Sequence, residues 1–182
     1  MATTLSFIEY NGAAQGSPVV GSVSTTQTSG FTCNWKSVDT AATSPTVAPI
    51  SVNANSYEKF LYGQFNGSFN KIQNGFFAHT LTNFGTGVTL FGQVTNTYTT
   101  PSASAGGLSG LTTTAMTTPI AATSGIGVNF SASATPAAAS AASVVSGSLA
   151  STQWLVTQLR TTTGATAGSI SPVTLTLQYD EN

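Results

Sequence analysis

From residue 57 to residue 69 the chain alternates with a period of two. Tyr57, Leu61, Phe65 and Phe69 share one side with Gly63 and Gly67, while Phe60, Tyr62, Gln64, Asn66 and Ser68 fall on the other. Only an extended strand sends successive side chains to opposite faces. A glycine pair on an aromatic face either lets neighbouring chains approach closely or marks a bulge. After Asn70 and Lys71, residues 72–81 read as the adjacent antiparallel strand. The stretch is therefore expected to be a long aromatic hairpin supplying two central strands of an antiparallel β-sandwich, with Glu58, Lys59 and Lys71 as strand-end or rim charges.

Short β signals recur along the remaining sequence, where Thr-rich and aromatic runs are separated by Gly, Pro and Asn. Residues 5–10 (LSFIEY) place Leu5, Phe7 and Glu9 opposite Ser6, Ile8 and Tyr10, and NGAAQG follows as a turn. Residues 11–30 contain the expected extended N-terminal arm. Residues 31–38 (FTCNWKSV) predict a strand with Phe31, Cys33 and Trp35 on its buried side, and Pro45 and Pro49 bracket a loop. Residues 88–98 and 126–132 are further strands, and 101–118 is a long Ser/Gly/Ala/Thr loop. Residues 132–152 stay open between a short helix, which their alanines favour, and an irregular loop. Residues 154–161 and 173–179 alternate cleanly and are expected to pair as a closing hairpin, with Val173, Leu175, Leu177 and Tyr179 inward. The expected fold is all-β: one antiparallel β-sandwich domain over residues 1–182, jelly-roll or Ig-like, with long loops and at most one short helix.

Composition narrows the function classes. Charged residues are 5% of the chain, against about 25% in ordinary soluble domains. A net charge of −1 offers no footprint for nucleic acid or an anionic membrane. With 40% hydrophobic residues the chain is not of disordered composition, and at this length it can bury roughly 70% of its unfolded surface. Hydroxyl and amide surfaces repel one another weakly, which suits a component of an assembly. Cys33 is the sole cysteine, so no intrachain disulfide forms, and stability is expected from packing or oligomerisation. No apolar run is long enough to span a bilayer. The start MATTLSFIEYNG lacks the basic and apolar regions of a secretory signal.

Little in the chain points to chemistry. His79 is the lone histidine; a Ser–His–Asp arrangement would need it beside a distant acid such as Asp39, and no G-x-S-x-G elbow occurs. It reads instead as a strand-end or surface imidazole. Cys33 reads as a small buried hydrophobe, and one Cys with one His does not make a zinc site. Asp180, Glu181 and the Asn182 carboxylate lack the spacing of a calcium loop. Glu9 and Glu58 are the acids in predicted strands, and a glycosidase would need such a pair at a defined separation. No phosphate-binding glycine motif is present. No catalytic, cofactor or metal residue is assigned.

Three patches carry a resemblance: NSYEKFLYGQFNGSFNKIQN at 55–74, LSFIEYNGA at 5–13, and VTLTLQYDEN at 173–182 after WLVTQLRTTTGATAG. They are similar to small structural proteins of tailed bacteriophages, including head decoration proteins. The resemblance implies a non-enzymatic β-sandwich, commonly a homotrimer, made in the host cytoplasm. It would adhere to the major capsid protein on the outer surface of the virion head and stabilise it. Gripping elements are then expected in the arm at 11–30 and the loops 101–118 and 132–152. A tail, neck or fibre protein and a carbohydrate-binding adhesin are the alternatives, the last requiring an exposed aromatic platform.

Overall fold

The computed structural model describes residues 3–10, 12, 19–24, 30–32, 34–40, 43–79, 84–104, 125–136, 142–166 and 174–182. Among these residues ten strands occur in order: β1 (Thr4–Tyr10), β2 (Val19–Ser24), β3 (Gly30–Thr32), β4 (Lys59–His79), β5 (Val88–Thr95), β6 (Ile126–Val128), β7 (Phe130–Ser131), β8 (Val144–Thr152), β9 (Trp154–Thr161) and β10 (Thr174–Glu181). All pairings are antiparallel within one sheet, and no described residue is helical. The antiparallel all-β class expected from the sequence is the one observed. The sheet curls until β5 lies against β6, an arrangement consistent with a sandwich.

The central hairpin is corrected. Asn70 and Lys71 do not turn the chain, and β4 runs unbroken for 21 residues. Both of its edges are occupied across the expected turn. On one side β8 pairs with residues 64–73. On the other, the amides of Asn70 and Lys71 donate to the carbonyl of Asn182 at 2.9 and 3.0 Å, and Asn182 N returns a bond to Lys71 O. With partners on both edges, an extended path keeps backbone groups paired that a reversal would strand. The surplus residues are absorbed as irregularities in register between Asn66 and Phe69 and between Phe69 and Ile72, with Gly67 at φ 120°. Gly67 thus marks a bulge, while Gly63 gives the close approach: a Cβ there would stand 2.8 Å from Leu177 Cδ2 and 3.1 Å from Leu5 Cδ1. Gly63→Ala is expected to cost about 1–2 kcal/mol through overpacking, read as a lowered urea midpoint with an unchanged slope.

The registers disclose where the chain ends meet. Gln64 pairs with Ser6 of β1 and Ser151 of β8, and Ile72 pairs with Glu181 of β10 and Val145 of β8. Because β8 takes one edge of β4 at both places, β1 and β10 lie end to end along the other. The Thr3 hydroxyl bonds to the Glu181 carboxylate across the junction.

Four further expectations change. The strands β9 and β10 are not a hairpin: β9 is paired residue for residue with β5 and also meets Lys59, Phe60 and Leu61, leaving it no free edge, and β10 joins β4 and β3. Residues 144–152 are strand, neither helix nor loop; two valines and the open edge of β4 decide that segment. Residues 137–141, with most of the helix-favouring alanines, lie outside the described residues. Residues 19–24 of the expected arm are β2, hydrogen-bonded to β1, because β1 otherwise presents an unpaired edge. The predicted strand 31–38 is cut short: β3 ends at Thr32 and residues 34–38 leave the sheet. Cys33 and residues 105–118 lie outside the described residues.

The curled sheet buries both faces of its central strands. The main core gathers Leu5 and Phe7 from β1, Leu61, Phe65, Phe69, Ile72 and Phe77 from β4, and Leu175, Leu177 and Tyr179 from β10, among others. A second cluster on the opposite face joins Ile8, Phe60, Tyr62, Trp154 and Val156, with Tyr10 and Tyr98 packed against it. The two sides of the alternating stretch therefore serve two separate cores.

Candidate functional site

Charge collects where β4 begins. Glu58 and Lys59, expected at the rim, are each 1% exposed, Lys36 is 2% and Glu9 6%. Lys59 Nζ lies 2.7 Å from Glu9 Oε1. The pleat explains the meeting: Glu9 pairs with Leu61 in register, so Lys59 sits diagonally across from it, within reach of a long side chain. Lys36 Nζ donates to the carbonyl of Thr43 at 2.7 Å. Its pKa is lowered first by burial and next by Lys59, with Glu9 and Asp39 acting in the opposite sense. Asp39 Oδ2 accepts from Gly12 N at 2.8 Å, and the Tyr98 hydroxyl donates to Gly12 O. On the other side of the backbone Ser102 N donates to Glu58 Oε2 at 3.2 Å. Gln158, fully buried, donates to the carbonyls of Ser56, Ser102 and Ser104. Asp39 and Tyr98 thus hold Gly12 on one side, and Glu58 and Gln158 hold the backbone of Ser102 and Ser104 on the other.

The adjoining aromatic cluster shapes its own titration. Burial raises the Tyr62 hydroxyl well above its usual range, helped by the neighbouring Tyr10. Burial and then the Asp39 carboxylate push Tyr98 up to about 12. Burial, followed by Glu181, raises Tyr179. In the unfolded chain these groups ionise near pH 10. A raised folded pKa in an acid means that the neutral form is preferred in the native state. That stabilisation is whole below pH 10 and lost as pH climbs toward 12. Lys36, lowered, works in the opposite sense: its burial penalty is relieved as pH rises through its depressed folded pKa toward the unfolded value of 10.5, and it adds no further change above that. Thermal midpoints are expected to fall once pH passes about 10, where the tyrosines ionise in the unfolded chain, with Tyr98→Phe reducing the drop.

Among the described residues, those weighed for catalysis are not assembled into a reactive group. His79 does end its strand but is buried at 1% exposure, edge-on to Phe84 at 5.3 Å, at the far end of β4 from Lys59. Asp39 is engaged instead with Gly12. Glu9 and Glu58 fall on opposite sides of the sheet, held by Lys59 and Ser102 respectively. Asp180 accepts from Asn74 Nδ2 at 2.7 Å and Glu181 from Thr3, so Asp180 fastens β10 to β4 while Glu181 joins it to the start of β1. Among the described residues no three His, Cys, Asp or Glu side chains converge on a metal position. No helix of the described residues is long and apolar enough to cross a membrane.

Charge withdrawal has a consequence for the exterior. Four of the nine charged side chains are buried, and Asp180 alone is exposed, the remaining four being half-buried. Trp35 and Trp154, the two tryptophans, are also interior. Sequence reading missed the ion pair, yet a signal for it was present. Glu9 shares parity with Leu5 and Phe7, and Lys59 with Leu61 and Phe65, so each charge occupies a core position on its strand. In comparisons with known proteins, the chain matches no family model, no curated protein and no solved structure.

Proposed function

We propose that this chain is a non-enzymatic structural protein of a tailed-bacteriophage virion that binds the outer capsid surface and stabilises the head, as a homotrimer. The observation that carries the reading is the nearly uncharged exterior, produced by folding four of nine charges into the interior. Surfaces of hydroxyls and amides repel one another little and suit lattice contacts made of many hydrogen bonds. Binding to the assembled shell then adds stability to both partners by mass action. The three sequence patches similar to phage structural proteins supply the identity of the shell. The buried tryptophans favour this over a sugar-binding module, which would display its aromatic rings.

The test is cosedimentation with capsids assembled without this chain. Saturable binding at a fixed ratio to the major capsid protein is expected, and it persists at about 1 M salt, where charges are screened beyond roughly 3 Å. Binding to purified tails with none to heads would move the protein to the tail or neck. Binding to neither would overturn the reading.

A further inference from the structure

Three Asn-Gly steps occur in the sequence, at 11–12, 66–67 and 74–75. Glycine has no Cβ, so its amide nitrogen is open to the carboxamide of the preceding residue and its backbone can bend to meet it. In an unrestrained chain such a step reacts with itself. The deprotonated glycine nitrogen attacks the asparagine Cγ, the Cγ–Nδ2 bond breaks, and Nδ2 leaves as ammonia. The cyclic imide that remains takes up water at one of its two carbonyls. Opening at Cγ gives an aspartate; opening at the main-chain carbonyl gives isoaspartate, with the chain running through the former side chain. The fold decides which of the three steps keeps this freedom.

Two of them are restrained. Gly12 N donates to Asp39 Oδ2 at 2.8 Å, and a carboxylate that accepts this N–H opposes the loss of its proton. Asn11 itself lies outside the described residues. Gly75 is buried and pairs with Val128 of β6, and a Cβ there would stand 2.4 Å from Phe130 Cζ and 3.0 Å from Val128 Cγ1. Moving that backbone to close a ring displaces a fully buried phenyl group from a packed interior. The Asn74 carboxamide is held as well, because Nδ2 donates to Asp180 Oδ2 at 2.7 Å in a charge-assisted bond.

The step at Asn66 lacks these restraints. Asn66 pairs with Leu149 and Phe69 with Gly147, and the pairing with β1 ends at Asn66. Gly67 and Ser68 therefore have no partner in either register among the described residues. Asn66 and Ser68 are exposed, and the Asn66 carboxamide donates to Gln64 Oε1 at 3.1 Å in an exposed, neutral contact of the weaker class. The bulge is also where β4 already takes up surplus backbone, so the extra main-chain carbon of an isoaspartate disturbs pairing least there.

We propose that Asn66 is a site of spontaneous rearrangement through the Gly67 nitrogen, with water as co-reactant, which turns an exposed amide at the bulge of β4 into a carboxylate. Each event adds one negative charge to a net charge of −1. The inference is independent of the capsid reading.

The experiment incubates the full chain in mildly alkaline buffer, folded and in parallel in urea, and maps tryptic peptides over time. Cleavage after Lys36, Lys59, Lys71 and Arg160 puts the three steps on separate peptides. In the folded protein the peptide 60–71 is expected to gain the mass of an amide-to-acid conversion and to split into aspartate and isoaspartate forms, with fragment ions placing the gain at Asn66. Its rate should exceed those of the other two steps at least about tenfold, which corresponds to about 1.4 kcal/mol in barrier height. In urea the three rates should converge. Asn66→Gln should abolish the gain at an unchanged thermal midpoint, because the side chain is exposed. Folded-state conversion at Asn11 or Asn74 as fast as at Asn66 overturns the inference. So does a peptide 60–71 that reacts in urea and stays unchanged in the folded protein. A tenfold spread that persists in urea also overturns it, since local sequence and not the fold would then set the preference.

Discussion

Lys59→Met is expected to lower the unfolding free energy by about 3–5 kcal/mol at neutral pH, the usual cost of stranding one member of a buried ion pair. The Glu9 carboxylate is 6% exposed and receives the Lys59 ammonium at 2.7 Å; without it, a desolvated negative charge remains. Lys36 stands near enough to feel Glu9 electrostatically, but its ammonium is committed to the Thr43 carbonyl, so its compensation is partial. The loss should shrink as pH falls, because an isolated buried carboxylate has a raised pKa and takes up a proton. Glu9→Gln combined with Lys59→Met removes both charges and should cost less than Lys59→Met alone. Urea unfolding of these proteins together with Glu9→Gln alone gives the coupling energy directly. A coupling near zero would mean that the pair is bystander chemistry and that the segments around it are held by packing alone.

How much of this was legible before the structure depends on which interactions are local. The alternation of residues 57–69, 88–98 and 173–179 reports burial on a strand, a local property, and strands occur within these stretches at Lys59–His79, Val88–Thr95 and Thr174–Glu181. Partner choice is not local. The turn expected at Asn70 and Lys71 is cancelled by Asn182, more than a hundred positions away, and by β8 on the other edge. The closing hairpin failed in the same way: β9 and β10 are sound strands individually, but β5 and β4 hold both edges of β9. The segment 144–152 was misjudged because alanine propensity upstream outweighed two valines, until pairing with β4 settled the backbone. The charged residues were misplaced for a different reason. A rule that charges lie at the surface overrode a parity that put Glu9 and Lys59 inside.

Trp154→Ala should be as damaging as the loss of Lys59, and it tests whether the sheet has one core or two. Trp154 is 1% exposed on the face opposite the main core. Its ring lies 4.9 Å from Tyr62, 5.2 Å from Tyr10 and 5.4 Å from Tyr98, centroid to centroid, with Phe60 at 6.1 Å. Edge-on contacts of this kind add to the burial of a large ring. Truncation leaves a cavity among side chains that sit on strands and relax only in part, so a cost of about 3–5 kcal/mol is expected. The damage should also be localised. Tyr98 loses its packing partner, and the Tyr98 hydroxyl is what ties Gly12 to the segment 96–104. Amide exchange in 96–104 should therefore accelerate well before exchange in β10, whose Leu175 and Leu177 belong to the main core. Leu155→Ala provides the contrast: the adjacent residue points to the other face, and its loss should loosen β10 and β4 together. If Trp154→Ala costs less than about 1 kcal/mol, the second cluster is only a cover over one side of the sheet. If it costs the full amount with exchange confined to 96–104, the start of β4 is stabilised from both faces. The buried ion pair would then be clamped between two independent apolar cores, which explains how a chain with so few charges can hold four of them inside.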